Sequence, residues 1–253
     1  MAIKKEEGFV LKRWPFRETS LLVTIFTREG GRIKGLVKGA RKEKNPLVAR
    51  FEPFTHLSLS YYEKTKSEIH LISHADVLNA NTFLRNRLDF FSYASYQVDL
   101  LDSLFGPHDP QHRVFDLLKD SFALFEKVSP IVLTRVFEVK LLDQAGFLPN
   151  LSHCTSCGRE NFERSYFSSR QGGLLCEQCE GREFGAVPFS KETVEALLFF
   201  LITPMEEAVR MRLSGQVTGE LERIGRKFIE FRLEYPLKSS RFLSEVKSLI
   251  KSM

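Results

Sequence analysis

The side chains best able to do chemistry in this chain are its four cysteines, which form two short knuckles, Cys154-Thr-Ser-Cys157 and Cys176-Glu-Gln-Cys179, with eighteen residues between them. Two CxxC pairs at this separation match the ligand number and spacing of a tetrahedral Cys₄ zinc site. Gly158 and Gly181 follow the knuckles and give the backbone room to turn, and Gly172-Gly173 marks the hairpin bend that brings them together. Four thiolates fill the coordination shell, so one Zn²⁺ held by Cys154, Cys157, Cys176 and Cys179 is expected to hold shape and to leave no open position for substrate. Two disulfides are the competing reading. They need an oxidising compartment, and the opening residues Met-Ala-Ile-Lys-Lys-Glu-Glu-Gly contain no apolar signal core.

The elements that carry this ribbon differ in character along the chain. At 253 residues, with 43% hydrophobic residues and 23 Phe, there is material for a well-buried core. The longest apolar run, Ala196 to Ile202, is too short to span a bilayer, which favours a cytoplasmic protein with no membrane role. Residues 1–80 carry 15 Lys/Arg against 9 Asp/Glu, whereas residues 81–253 are nearly neutral, with 22 against 23. A positive excess confined to the first third points to a polyanion partner, nucleic acid before membrane.

Residues 8–78 read as five short strands: Gly8–Trp14, Ser20–Phe26, Arg32–Lys38, Phe54–Tyr62 and Glu68–Leu78. A longer segment from Gly39 to Arg50, with Pro46 at a helix start, separates the third from the fourth. That order is the OB-fold, a small barrel that binds oligonucleotides on strands 2 and 3 and on its loops. Period-two alternation puts Arg32, Lys34 and Lys38 on one face of strand 3 and turns Ile33 and Val37 inward. Arg41, Lys42, Lys44 and Arg50 extend the basic patch, and Gly35 and Gly39 are expected to leave gaps for a phosphate backbone. Trp14, Phe16, Tyr61 and Tyr62 are candidate base-stacking platforms, although most aromatics of a small barrel are core.

From Asn81 the period becomes helical. One stripe runs from Phe83 to Leu101, a second helix opens at Asp109-Pro110, and a third at Ser129-Pro130. The ribbon fills about 150–185, and more helix follows: Ser190–Ile202, a short piece after Pro204, Gln216–Glu234 and Ser240–Lys251. The expected class is α+β and multidomain. An OB-fold domain spans 1–80, and an α-helical bundle with an inserted Cys₄ zinc ribbon spans 81–253. No GxGxxG, P-loop, GxSxG or HExxH is present, so a binding role is favoured over catalysis. A zinc-ribbon enzyme on nucleic acid is the alternative. It needs an acidic cluster for Mg²⁺, yet Glu29, Glu43 and Glu52 each sit among basic residues. An RNA-binding module is a third reading.

This order of parts resembles the bacterial RecO family of recombination mediators. The matching residues are Gly8-Phe-Val-Leu, Glu18-Thr-Ser-Leu, Gly35-Leu-Val-Lys-Gly-Ala-Arg41, and the run from Arg135 to Leu151 that leads into Cys154. They reach from the N-terminus through the ribbon, and beyond about residue 190 only the helical character matches. The resemblance implies a non-enzymatic, nucleoid-associated DNA repair protein that binds single- and double-stranded DNA and anneals strands. It also implies work with RecR in loading RecA, and contact with the acidic C-terminal tail of single-strand-binding protein. For that tail, a groove beside the third helix with apolar walls and Arg135 and Lys140 on its rim is the expected site. Pairing of Arg135 with Glu138, or of Lys140 with Asp143, is the competing expectation.

Overall fold

The computed structural model describes residues 3–42, 47–63 and 67–252, which fall into two compact units. The first holds residues 1–122 with 246–253, and the second holds 123–245.

The first unit is built on a closed five-stranded barrel. Its strands are β1 (Ile3–Phe16), β2 (Ser20–Thr27), β3 (Gly31–Val37), β4 (His56–Tyr62) and β5 (Ile69–Asn79), with α1 (Leu47–Arg50) between β3 and β4. The order around the barrel is β1-β2-β3-β5-β4, with β3 and β5 parallel and the other pairs antiparallel. This is the expected OB-type arrangement. Alternation places Val23, Ile25, Ile33, Val37, Leu57 and Leu59 inside, and Phe51, one residue past α1, joins the same core. Pro46 lies outside the described residues.

Two glycines of β3 are set by close packing. Gly31 has φ +63°, and an added Cβ would lie 2.3 Å from the Asp109 carbonyl oxygen, so neither its backbone nor its surroundings accept a side chain. At Gly35 a Cβ would meet Ile72 at 2.7 Å and Val23 at 3.1 Å. The gap at Gly35 therefore admits barrel core and offers no room to a phosphate backbone.

Tyr61 is buried, and its hydroxyl donates to Glu6 Oε1 at 2.7 Å. The other oxygen of Glu6 accepts from the Gly30 N–H at 2.9 Å, so one carboxylate joins β1, β4 and the β2–β3 turn. Tyr61 is thus core, not a stacking platform, whereas Trp14 stands 45% exposed.

The barrel's outer face at Phe9 and Phe26 is covered by helices. The sequence stripe from Phe83 is interrupted: α2 (Phe83–Asn86) and α3 (Leu88–Leu104) meet at Arg87, which is extended at φ −123°, ψ 126°. Arg87 donates to both oxygens of Asp89, at 3.2 and 2.6 Å, and its guanidinium lies over the Phe90 ring at 3.8 Å. These contacts fix the break and set an acid at the start of α3, where the helix dipole favours it. α4 (His112–Leu124) brings Phe115 and Phe122 to within 5.1 and 5.6 Å of the Phe9 ring. Such ring pairs add to the area they bury.

The second unit contains α5 (Pro130–Gln144), β6 (Ser165–Ser168), β7 (Gly173–Cys176) and β8 (Val187–Phe189), then α6 (Lys191–Ile202), α7 (Met205–Ala208), α8 (Gly215–Leu233) and most of α9 (Lys238–Ser252). Pro130 starts α5 as the Ser-Pro signal implies. Two caps fix the later helices. Ser190 accepts from the Thr193 N–H at the start of α6, and Ser214 accepts from the Val217 N–H at the start of α8. Glu220 of α8 reinforces the first cap by accepting from the Ser190 N–H and from the hydroxyls of Ser190 and Thr193, at 2.7–2.9 Å. Among the described residues, no helix is long and apolar enough to cross a membrane.

Candidate nucleic-acid interface and metal centre

One end of the barrel is open. A groove of about 1090 Å³ runs between the β1–β2 turn, the segment after β3, and the approach to β5. Its lining is mixed: Phe16, Leu36 and Ile69 are apolar, Arg17, Lys38 and Lys42 are cationic, and Glu18, Thr19, Ser20 and Ser67 are polar. Beside it, Trp14, Leu22 and Leu36 stand in register across three strands. Basic and apolar groups interleaved in one groove suit a single strand, whose phosphates and exposed base faces need different partners.

The turn that carries Arg17 is held from across the groove. Arg17 takes φ +52°, a conformation uncommon for a residue with a Cβ. The Arg41 N–H donates to the Thr19 carbonyl at 2.8 Å, and its guanidinium donates to the Arg17 carbonyl at 3.2 Å. The Arg17 guanidinium in turn lies 5.4 Å from the Phe16 ring centre. Arg41 therefore positions the turn, and Arg17, Lys38 and Lys42 present their charges to the groove.

The remaining basic residues divide. Lys34 is exposed and pairs at 3.3 Å with the exposed Glu68. Arg32 stands away from the groove, its guanidinium 2.8 Å from both Oδ1 and the carbonyl of Asp102 on α3. Lys12 adds ammonium contacts of 2.8 Å to Asp102 and 2.9 Å to Asp99. Burial opposes the ionisation of Asp102, but Lys12 and Arg32 outweigh it and hold the carboxyl below its ordinary pKa. Arg50 donates to the Ala75 carbonyl and lies 3.4 Å from Asp76, which ties α1 to β5. Lys44 lies outside the described residues. Arg17 escapes a reading by charge density because it stands apart from the run of basic residues between Arg28 and Arg50; its position in the loop between the first two strands is the available signal.

In the second unit the two knuckles converge. The four cysteine sulfurs lie within 4.8 Å of one another, and those of Cys157 and Cys176 are 3.8 Å apart. A tetrahedron with metal–sulfur bonds of about 2.3 Å has edges of about 3.8 Å, whereas a disulfide needs about 2.05 Å. Gly158 at φ +75° closes the first knuckle, its N–H donating to the Cys154 carbonyl at 2.9 Å. Gly172 at φ +70° makes the hairpin between β6 and β7. Gly181 sits in a short 3₁₀ turn without positive φ. Burial works against ionisation of Cys154, yet backbone N–H groups of Cys176, Cys157 and Ser156 bring its thiol down to about 6. At Cys179 the Ser156 hydroxyl favours the thiolate, but burial and the other three sulfurs raise the thiol to about 11. Four clustered thiolates repel, and a cation at their centre removes that conflict. The four residues could therefore hold a metal ion.

The second unit also has an apolar pocket of about 460 Å³, walled by Val139 and Leu142 of α5, Leu197 and Leu201 of α6, and Leu221, Ile224 and Phe228 of α8. Arg135 lines it, but not as an exposed rim: the side chain is 5% exposed and lies 2.9 Å from Glu138, itself 4% exposed. Lys140 donates to the Thr203 carbonyl at 2.6 Å, and burial lowers its pKa. The expected pair of rim cations is thus replaced by a buried ion pair and a lysine anchoring the end of α6. Phe137 and Leu141 are fully buried core.

Comparison with known proteins matches both parts of the chain. The family model described as Recombination protein O N terminal matches residues 1–81, and the one described as Recombination protein O C terminal matches residues 85–241. A protein named DNA repair protein RecO from Caldicellulosiruptor saccharolyticus is 31% identical over 248 residues, covering 98% of this chain and 100% of its own length. Another of that name, from Syntrophus aciditrophicus, is 32% identical over 253 residues, covering 98% of both. The chain belongs to the RecO family of DNA repair proteins.

Proposed function

We propose that the chain binds single-stranded DNA in the open groove of its barrel, through Arg17, Lys38 and Lys42 on the phosphates and through the apolar surface of Phe16 and Leu36 on the bases. The observation that carries this reading is the joining of three cations and an apolar floor in one groove between the two loops by which OB barrels take oligonucleotides. Affinity comes mostly from phosphate contacts and counterion release, so it falls steeply with salt. Annealing of complementary strands follows if the basic surface screens their repulsion. With RecR, the protein then assists RecA loading onto strands coated by single-strand-binding protein. The acidic tail of that protein, ending in an aromatic residue and a carboxylate, is suited to the apolar pocket between α5, α6 and α8 through its aromatic residue, which the Leu, Ile and Phe walls would hold.

The metal held by Cys154, Cys157, Cys176 and Cys179 is proposed to be Zn²⁺, in keeping with an all-thiolate donor set. When bound it cross-links two turns and supplies no open coordination position. The chain's own part is to aim four sulfurs at one point from the Gly158 turn and the β6–β7 hairpin.

Photocrosslinking tests the groove. A single strand carrying 5-bromodeoxyuridine, irradiated with the full-length protein and mapped by mass spectrometry, is expected to attach to peptides containing Trp14 or Phe16. Crosslinks confined to residues 123–245 would move the DNA site to the second unit.

A further inference from the structure

The groove holds one group that a purely phosphate-binding surface should avoid. Among the described residues, Glu18 is the single carboxylate in its lining, alongside Arg17, Lys38 and Lys42. Its side chain is exposed, and no cation or hydrogen-bond donor among the described residues pairs with it. A carboxylate so placed repels the phosphates that its neighbours attract. The backbone that carries it is also fixed rather than incidental. Glu18 follows Arg17 at φ +52°, and Arg41 holds the carbonyls on both sides, those of Arg17 and Thr19.

A carboxylate is acceptor-only, with two oxygens in one plane. The partners in DNA that match it are N–H groups on base edges, since phosphates and sugar oxygens are acceptors. Cytosine and adenine each offer one amino group on the Watson–Crick edge, and thymine offers only its ring N–H. Guanine offers two parallel donors there, the ring N1–H and the N2 amino group, the geometry that makes carboxylate pairing bidentate. In a duplex that edge is already paired, so the contact is open only to an unpaired base. Deepening the single-strand reading given above, on which it rests, we propose that Glu18 reads an unpaired guanine edge. The base lies against Phe16 and Leu36, and its flanking phosphates meet Arg17, Lys38 and Lys42. The groove then takes guanine-bearing single strands in preference to thymine-only strands.

The test is fluorescence anisotropy with the full-length protein and three strands of equal length: oligothymidine, the same strand with isolated guanines, and the same strand with inosines at those positions. Inosine keeps the ring N–H and lacks the N2 amino group. Wild type is expected to bind the guanine strand about five-fold more tightly than oligothymidine, the low end for one bidentate pair, with inosine between. Glu18→Gln is expected to bind all three more tightly at low salt, because a repulsive charge is gone, and to treat them alike. Equal binding of the three strands by wild type overturns the proposal, as does an unchanged guanine preference in Glu18→Gln. A parallel titration of Lys38→Glu/Lys42→Glu separates the two levels. If that variant binds oligothymidine like wild type, the groove is not the DNA site and the guanine reading falls with it. If it binds weakly while wild type shows no guanine preference, only the guanine reading fails.

Discussion

The Arg32 guanidinium is held 2.8 Å from Asp102, and Lys12 reaches the other oxygen of the same carboxylate. One α3 side chain thus takes two of the barrel's positive charges and fastens the helix to β1 and β3. The start of β3 nearest this network is spent on packing, and its end at Leu36, with Lys38 and Lys42 of the segment after it, remains for a ligand. Arg32→Ala is therefore expected to destabilise the first unit by about 1–3 kcal/mol, through the partly buried charge left on Asp102. Its affinity for single-stranded DNA, measured on folded protein, should stay within about two-fold of wild type. Denaturant unfolding and anisotropy on one preparation check both.

How much of this is legible in the sequence differs from residue to residue. The inward turn of Ile33 and Val37 follows from strand alternation, and the meeting of the knuckles follows from cysteine spacing and Gly172. The break at Arg87 is not legible, because an apolar stripe runs through it and the interrupting contacts, to Asp89 and Phe90, are side-chain contacts that hydrophobic periodicity does not register. Gly35 reads as an open gap because a sequence does not show Ile72 arriving from β5. The fate of Arg135 is ambiguous for a similar reason. A cation among apolar residues on a helix is either a rim or a buried pair, and only the packing of α8 decides.

That burial changes what a substitution at Arg135 means. Removing one partner of a buried ion pair leaves the other charge uncompensated, so Arg135→Ala is expected to cost about 3–5 kcal/mol, and Arg135→Glu more. Calorimetry of the purified variants checks this. A variant at Leu142 that fills the pocket, Leu142→Trp, is the sharper probe of tail-peptide binding and should abolish it while binding to naked DNA persists.

The Glu220 carboxylate predicts an acid-sensitive second unit. Burial alone would raise its pKa, but bonds from Ser190, Gln216 and Thr193 bring it to about 2. A depressed carboxyl contributes stability above its unfolded pKa, near 4.5, and loses that contribution as pH falls toward 2. Discounted for partial exposure, the contribution is about 1–2 kcal/mol. Glu220→Gln should lower stability at neutral pH by that amount and flatten the decline between pH 4.5 and 2. Urea unfolding across this range measures it.

Metal removal should act on the second unit and spare the first. One zinc per chain is expected by elemental analysis, and Cys176→Ser should loosen the ribbon by removing one of four ligands. Single-strand binding should persist in that variant. Purified protein without stoichiometric zinc, its cysteines free or disulfide-bonded, would contradict the assignment.

The account's central claim is that the open groove of the barrel carries single-stranded DNA, and the most direct test is a salt titration of Lys38→Glu/Lys42→Glu against wild type. Removing one lysine–phosphate pairing should reduce the log–log salt slope by about 0.7, so the double variant should bind more weakly with a slope shallower by about 1.4. Unchanged affinity and slope in the folded double variant would contradict the claim.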